Sequence, residues 1–157
     1  MRGRLQDEIK QRSPFDSLEQ EALLNLLRTA DVLMRRIIAV LKPYGLSHSQ
    51  YNVLRILRGA GEDGLACREI GDRMITHDPD ITRLLDRLEA RGLVTRTRDQ
   101  QDRRIVMARV TAEGLRLLAQ LDGPIEEVDR RPLEHLGESR LRALIALLEA
   151  ARERGRE

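Results

Sequence analysis

At 157 residues, with 41% hydrophobic and 34% charged content, the chain is long enough to bury one real core and too apolar to stay disordered. A net charge of +2 excludes a global polycation, a single cysteine excludes an internal disulfide, and no apolar run approaches the roughly 20 residues that cross a bilayer. Three aromatics (Phe15, Tyr44, Tyr51) and no tryptophan offer no stacking platform for single strands, so duplex DNA is the favoured nucleic-acid partner.

In chain order, residues 1 to about 13 are polar and expected to fray. MRGRLQDEIK has no apolar centre for a signal peptide, and a cytoplasmic protein is expected. Leu23, Leu26, Leu27, Ala30, Leu33, Met34, Ile37, Val40 and Leu41 hold one helical face until Pro43 and Gly45 stop it. A helix near thirty residues carries more apolar stripe than one side of a small core covers, so residues 14–43 are predicted to be a dimerisation arm. Ser47-His48-Ser49-Gln50 is an S-x-x-Q capping box opening a helix with Tyr51, Val53, Leu54, Ile56 and Leu57. After the GAGEDG turn, Leu65 suggests a short strand. A helix from about Cys67 to Met74 follows, with Ala66 as a poor N-cap, Ile70 inward and Gly71 permitting close approach.

The segment from Asp78 to Thr111 is the most informative. In DPDITRLLDRLEARG, Ile81, Leu84, Leu85 and Leu88 recur at i, i+3, i+4 and i+7, and Thr82, Arg83 and Arg87 fall on other faces. Asp78 suits the N-cap, Pro79 the first helical position and Gly92 the left-handed C-terminal position. Leu93–Arg98 and Ile105–Val110 read as strands around the polar tip DQQDRR. From Arg83 to Arg109 there are eight arginines against four acids, an electrostatic footprint for phosphate. A basic hairpin following a helix-turn-helix describes a winged helix-turn-helix, with the second helix in the major groove. The competing account is a solvated face held by ion pairs such as Arg83 with Asp86.

Thr111 then caps a helix carrying Leu115, Leu117, Leu118, Leu121, Ile125 and Val128, with a kink expected at Gly123-Pro124. Pro132 and Gly137 break it, and a last helix presents Leu141, Leu144, Ile145 and Leu148. The predicted fold is mainly α with a small β-hairpin wing. Its parts are an N-terminal dimerisation helix (14–43), a winged DNA-binding lobe (46–111) and C-terminal dimerisation helices (112–150).

ITRLLDRLEARGLVTR, DRR and VTAEG, with SHSQYNVLRIL and EIGDRM before them in order, resemble the multiple-antibiotic-resistance-regulator (MarR) family of bacterial transcription regulators. The resemblance spans roughly Leu18 to Leu148. It implies an obligate homodimer on a palindromic operator, acting as a repressor, and a crevice between arms and lobe for an amphipathic or aromatic effector. Leu18–Leu33, Tyr44, Tyr51 and Leu115 would line that crevice. Carried over, the family's wing motif makes Asp102 and Arg104 its Asp-x-Arg pair: Arg104 enters the minor groove, Asp102 braces its guanidinium, and Arg103 adds a phosphate contact. The alternative is that the pair merely closes the hairpin.

On the reader helix the candidates are His77, Asp78, Pro79, Asp80, Thr82, Arg83 and Arg87; on the wing, Arg98, Asp102, Arg103 and Arg104. Arg83 suits bidentate guanine contact and Thr82 a phosphate or thymine methyl, whereas Asp78 and Asp80 repel phosphate and suit capping or orienting Arg83. No catalytic constellation, phosphate loop or cofactor motif stands out, so no enzyme is expected. His48, His77 and His135 are scattered and lack a Cys or carboxylate cluster at metal-ligand spacing, so no metal site is expected. Cys67 reads as a small buried hydrophobe rather than a redox sensor. The rival function is a winged helix used only for protein–protein contact, which would want a neutral reader face and wing.

Overall fold

Side chains that satisfy orphaned backbone groups draw the helix boundaries of this chain, whose computed structural model describes residues 4–76, 80–99 and 101–154. Ser17 accepts from the Gln20 N–H to start α2 (Leu18–Leu41), which at 24 residues is shorter than the expected thirty. The Lys42–Tyr44 3-10 turn ends it. Ser47 and Gln50 bond reciprocally, as the capping box requires, at the head of α3 (His48–Ala60). A two-residue strand, β1 (Leu65–Ala66), leads into α4 (Cys67–Arg73). Ala66 has no side-chain acceptor to give, so only half a box forms there, from the Ala66 N–H to Glu69 Oε2 at 3.2 Å. A Cβ on Gly71 would meet Ile81 at an ordinary 3.5 Å, so the close approach expected at that glycine is not demanding.

The reader helix, α5 (Ile81–Ala90), begins later than the sequence suggests. Its N-cap is Asp80, whose Oδ1 accepts from the Arg83 N–H at 2.9 Å, and this displaces Asp78 from that role. Its C-terminus is a Schellman motif: Leu93 N–H bonds Leu88 C=O at 3.0 Å and Gly92 N–H bonds Glu89 C=O at 2.8 Å. That geometry places Gly92 at φ +69°, where a side chain would be strained. β2 (Val94–Arg98) and β3 (Val106–Val110) pair antiparallel from Val94 opposite Val110 to Arg98 opposite Val106, and β1 adds to the other edge of β3.

Thr111 caps α6 (Ala112–Arg130), which runs unbroken through Pro124 where a kink is expected. Gly114 is dictated by packing. A Cβ there would lie 2.4 Å from the Leu93 carbonyl oxygen and 2.7 Å from a Val110 methyl, so the first turn of α6 sits directly on the sheet. α7 (Gly137–Arg154) follows the Glu134–Leu136 turn.

The core gathers Leu41, Val53, Leu54, Leu57, Ile70, Leu85, Leu88, Val94, Leu118 and Leu121, all essentially inaccessible. It unites one end of each long arm helix with the winged lobe. Much of the arms' remaining apolar surface is left uncovered. Leu23, Leu26 and Leu27 on α2 and Ile145 and Leu147 on α7 are exposed, Leu147 at 70%. Within its own chain α7 packs chiefly on the turn that leads into it. The expectation of a frayed N-terminus is corrected: Arg4–Glu8 forms α1, with Leu5 buried and Gln6 Nε2 donating to the Ser13 carbonyl at 2.9 Å. Among the described residues, no helix is long and apolar enough to cross a membrane.

Candidate nucleic-acid interface

Burial of Leu84, Leu85 and Leu88 fixes the rotation of α5, and that rotation leaves Thr82, Arg83 and Arg87 exposed. The chain just after α4 is anchored to α3. Asn52, buried on α3 between Tyr51 and Val53, accepts from the Ile75 N–H through Oδ1 at 2.9 Å. This anchor was not anticipated, although a polar residue inside an apolar run is the signal that points to it. Exposed Ile75, 77% accessible, is thereby tied through its backbone to α3. His77, Asp78 and Pro79 lie outside the described residues.

The eight arginines between Arg83 and Arg109 divide into two groups. Arg96 is half-buried and clamps β2 to α5: its guanidinium donates to Glu89 Oε2 (2.6 and 3.0 Å) and to Asp86 Oδ1 (2.6 Å), and its N–H donates to Glu89 Oε1 (3.1 Å). These bonds hold the Glu89 carboxyl below its ordinary pKa and push the Arg96 guanidinium up. Arg91 donates to the Tyr44 and Gly45 carbonyls, and Arg109 donates to the Glu62 carbonyl and Thr97 Oγ1. The other five, Arg83, Arg87, Arg98, Arg103 and Arg104, are exposed and form no guanidinium hydrogen bond or ion pair among the described residues. Asp86 is therefore the partner of Arg96 and not of Arg83. The five unpaired arginines are the five proposed from sequence as DNA contacts.

Two carboxylates shape the wing tip. Asp99 Oδ1 accepts from the N–H groups of Gln101 (2.8 Å) and Asp102 (2.9 Å), and these bonds lower the Asp99 pKa. Asp102 Oδ1 accepts from the Arg104 N–H at 2.9 Å. The bond joining Asp102 to Arg104 is thus to the backbone, not to the guanidinium as the sequence-based account has it. It fixes the turn from which Arg103 and Arg104 project.

Arg68 and Arg73 on α4 were missed from sequence. Both are exposed on the helix that crosses the phosphate backbone in helix-turn-helix docking, and neither forms an ion pair among the described residues. Local charge counting hid them, because Glu69 and Asp72 offset them in the same helix. Cys67 is half-buried and burial pushes its thiol pKa up, which opposes thiolate chemistry.

A separate cleft of about 600 Å³ lies between α3, α6 and the start of α7. Tyr51, Arg55, Arg58, Asp122, Ile125 and Leu141 are among its walls, and the Arg58–Asp122 ion pair (2.9 Å) closes one side. Of the residues expected to line an effector crevice, Tyr51 is there. Tyr44, Leu115 and Leu18–Leu33 are not part of this cleft, and Leu115 instead faces a smaller recess with Arg58, Glu62 and Arg109.

Residues 46–106 match the model of the MarR family. The chain is 35% identical over 106 residues to the HTH-type transcriptional regulator TtmR of Methylorubrum extorquens, covering 68% of this chain but only 53%, about half, of that relative. The crystal structure of a MarR transcription factor from Planctomyces limnophilus is 45% identical, with a TM-score of 0.67, and the match covers 87% of this chain and 98% of that one. The structure of CouR from Rhodococcus jostii bound to p-coumaroyl-CoA is 28% identical, with a TM-score of 0.73 and coverage of 87% and 95%.

Proposed function

This chain belongs to the MarR family of helix-turn-helix transcription regulators, which are not enzymes, and from that premise we propose that it acts as a homodimeric repressor on a palindromic operator. The observation that carries the reading is the partition of arginines. On one supersecondary unit, three are consumed in holding the reader helix, wing and arm together. Five stand unpaired, where phosphate oxygens and base edges would meet them. In this reading Arg83 contacts a base in the major groove, beside Thr82. Arg87, Arg98 and Arg103 contact phosphates, and Arg104 reaches the minor groove from a tip that Asp102 shapes. Asp80 caps α5 and keeps Arg83's turn in place. A module for protein–protein contact alone gives no reason for five exposed, unpaired arginines on one supersecondary unit.

Residues 14–43 and 112–150 form the dimer interface and residues 46–111 the DNA-binding lobe. The support is apolar surface: α2 and α7 leave large apolar side chains exposed among the described residues, and a second copy would bury them. An amphipathic or aromatic effector held between arms and lobe is proposed from CouR, whose structure holds p-coumaroyl-CoA. Such a ligand regulates only if it favours a dimer whose reader helices no longer match successive grooves.

The test is selection of binding sites from random duplex DNA, followed by affinity measurement with the parent and Arg83→Ala. A palindrome with half-sites about one helical turn (~10–10.5 bp) apart is expected. Arg83→Ala should lose roughly 1–3 kcal/mol on it and blur preference at one base position. Failure to enrich any duplex would favour the protein-contact reading. Equal affinity for the variant would remove Arg83 as a base reader.

A further inference from the structure

We infer that Arg91 is a positioning residue that sets the reader helix against the dimerisation arm, and so determines which half-site spacing the protein accepts; this rests on the two-half-site reading above. Arg91 is the C-cap residue of α5 and the first residue after its last turn. Its two terminal nitrogens donate to consecutive carbonyls, Nη1 to Gly45 at 2.7 Å and Nη2 to Tyr44 at 2.9 Å. Those carbonyls end the 3-10 turn that closes α2, where backbone dipoles leave partial negative charge. The C-termini of reader helix and arm helix are thus joined by one planar fork across 46 residues of sequence. A guanidinium gripping two acceptors fixes direction as well as distance, which a point charge does not.

The same junction faces the other arm. Thr111, the N-cap of α6, donates Oγ1–H to the Gly92 carbonyl at 2.7 Å and N–H to the Leu93 carbonyl at 3.0 Å. Three consecutive residues, Arg91 to Leu93, therefore tie the reader helix to both arms. Arg91 is the member that reaches its arm through its own side chain, and both of those bonds are exposed. Water can replace it at both carbonyls, so its loss costs orientation rather than a buried hydrogen bond.

The experiment uses the full-length protein and an operator selected from random duplex DNA. Affinities are measured for that operator, for versions with one or two base pairs inserted at the centre, and for a single half-site, with the parent, Arg91→Ala and Arg91→Lys. Arg91→Ala should remain dimeric by light scattering and bind the half-site as the parent does. Its preference for the selected spacing over the altered ones should fall by roughly 2- to 30-fold, the range for residues that carry coupling between sites. Arg91→Lys should fall between, because an ammonium cannot fork to both carbonyls, and it serves if the alanine variant does not fold. An unchanged spacing preference in Arg91→Ala, where the parent discriminates, overturns this inference alone. A loss equal on half-site and full operator overturns it in favour of a direct phosphate contact. A parent indifferent to spacing overturns the two-half-site reading and this inference with it.

Discussion

Salt dependence separates the unpaired arginines from the structural ones. Each phosphate contact releases condensed counterions, so the logarithm of affinity falls with the logarithm of salt at about −0.9 per contact. On the reader helix and wing, Arg87, Arg98 and Arg103 are three exposed, unpaired candidates for phosphate in each chain, and a dimer doubles them; any contacts from Arg68 and Arg73 add equally to the slope of parent and variants. Six contacts give a slope of about −5.4, a loss near 2,000-fold between 50 and 200 mM salt. Arg103→Gln removes two contacts per dimer and should bring the slope to about −3.6 and the loss to about 150-fold. The control is Arg96→Met, which removes the same formal charge from a side chain already committed to Glu89 and Asp86. It should lower affinity through a displaced wing yet leave the slope within about 0.5 of the parent's. Fluorescence anisotropy on a fixed operator across at least four salt concentrations provides the measurement. If Arg96→Met flattens the slope as much as Arg103→Gln does, total charge governs binding and the division into structural and unpaired arginines is refuted.

Asp102→Ala should weaken operator binding, because the Arg104 N–H loses the acceptor that shapes the tip; simple electrostatics predicts tightening, so anisotropy decides between opposite signs. Gly114→Ala drives a Cβ to 2.4 Å from the Leu93 carbonyl, and should cost about 1–3 kcal/mol, seen as a lower melting temperature. Glu89, whose folded pKa is depressed chiefly by its Arg96 hydrogen bonds, contributes stability that is present above its ordinary value of 4.5 and lost as pH falls through the folded one. Urea midpoints followed downward from pH 6 should therefore decline less steeply in Glu89→Gln, and parallel declines would contradict the clamp.

What the sequence determined was local. The repeat of Ile81, Leu84, Leu85 and Leu88 sets which face of α5 is apolar, and the Ser47–Gln50 box, Thr111 and Gly92 mark boundaries because capping depends on neighbours three or four residues away. The order of those pieces, with the arginine-rich hairpin behind the helix, was enough for the winged fold. Asp78 and Asp80 lie two residues apart and offer the same capping chemistry, and only the realised backbone selects between them. Tertiary structure alone decided which arginines are spent. Arg96 and Arg103 are alike in sequence, and they differ because the packing of β2 against α5 brings Arg96 onto Glu89 and Asp86, whereas Arg103 at the tip forms no ion pair among the described residues. Arg91 finds Tyr44 and Gly45 across 47 and 46 residues, and Asn52 finds Ile75 across 23. Contacts of that range follow from the packing of a whole core, and no local periodicity encodes them.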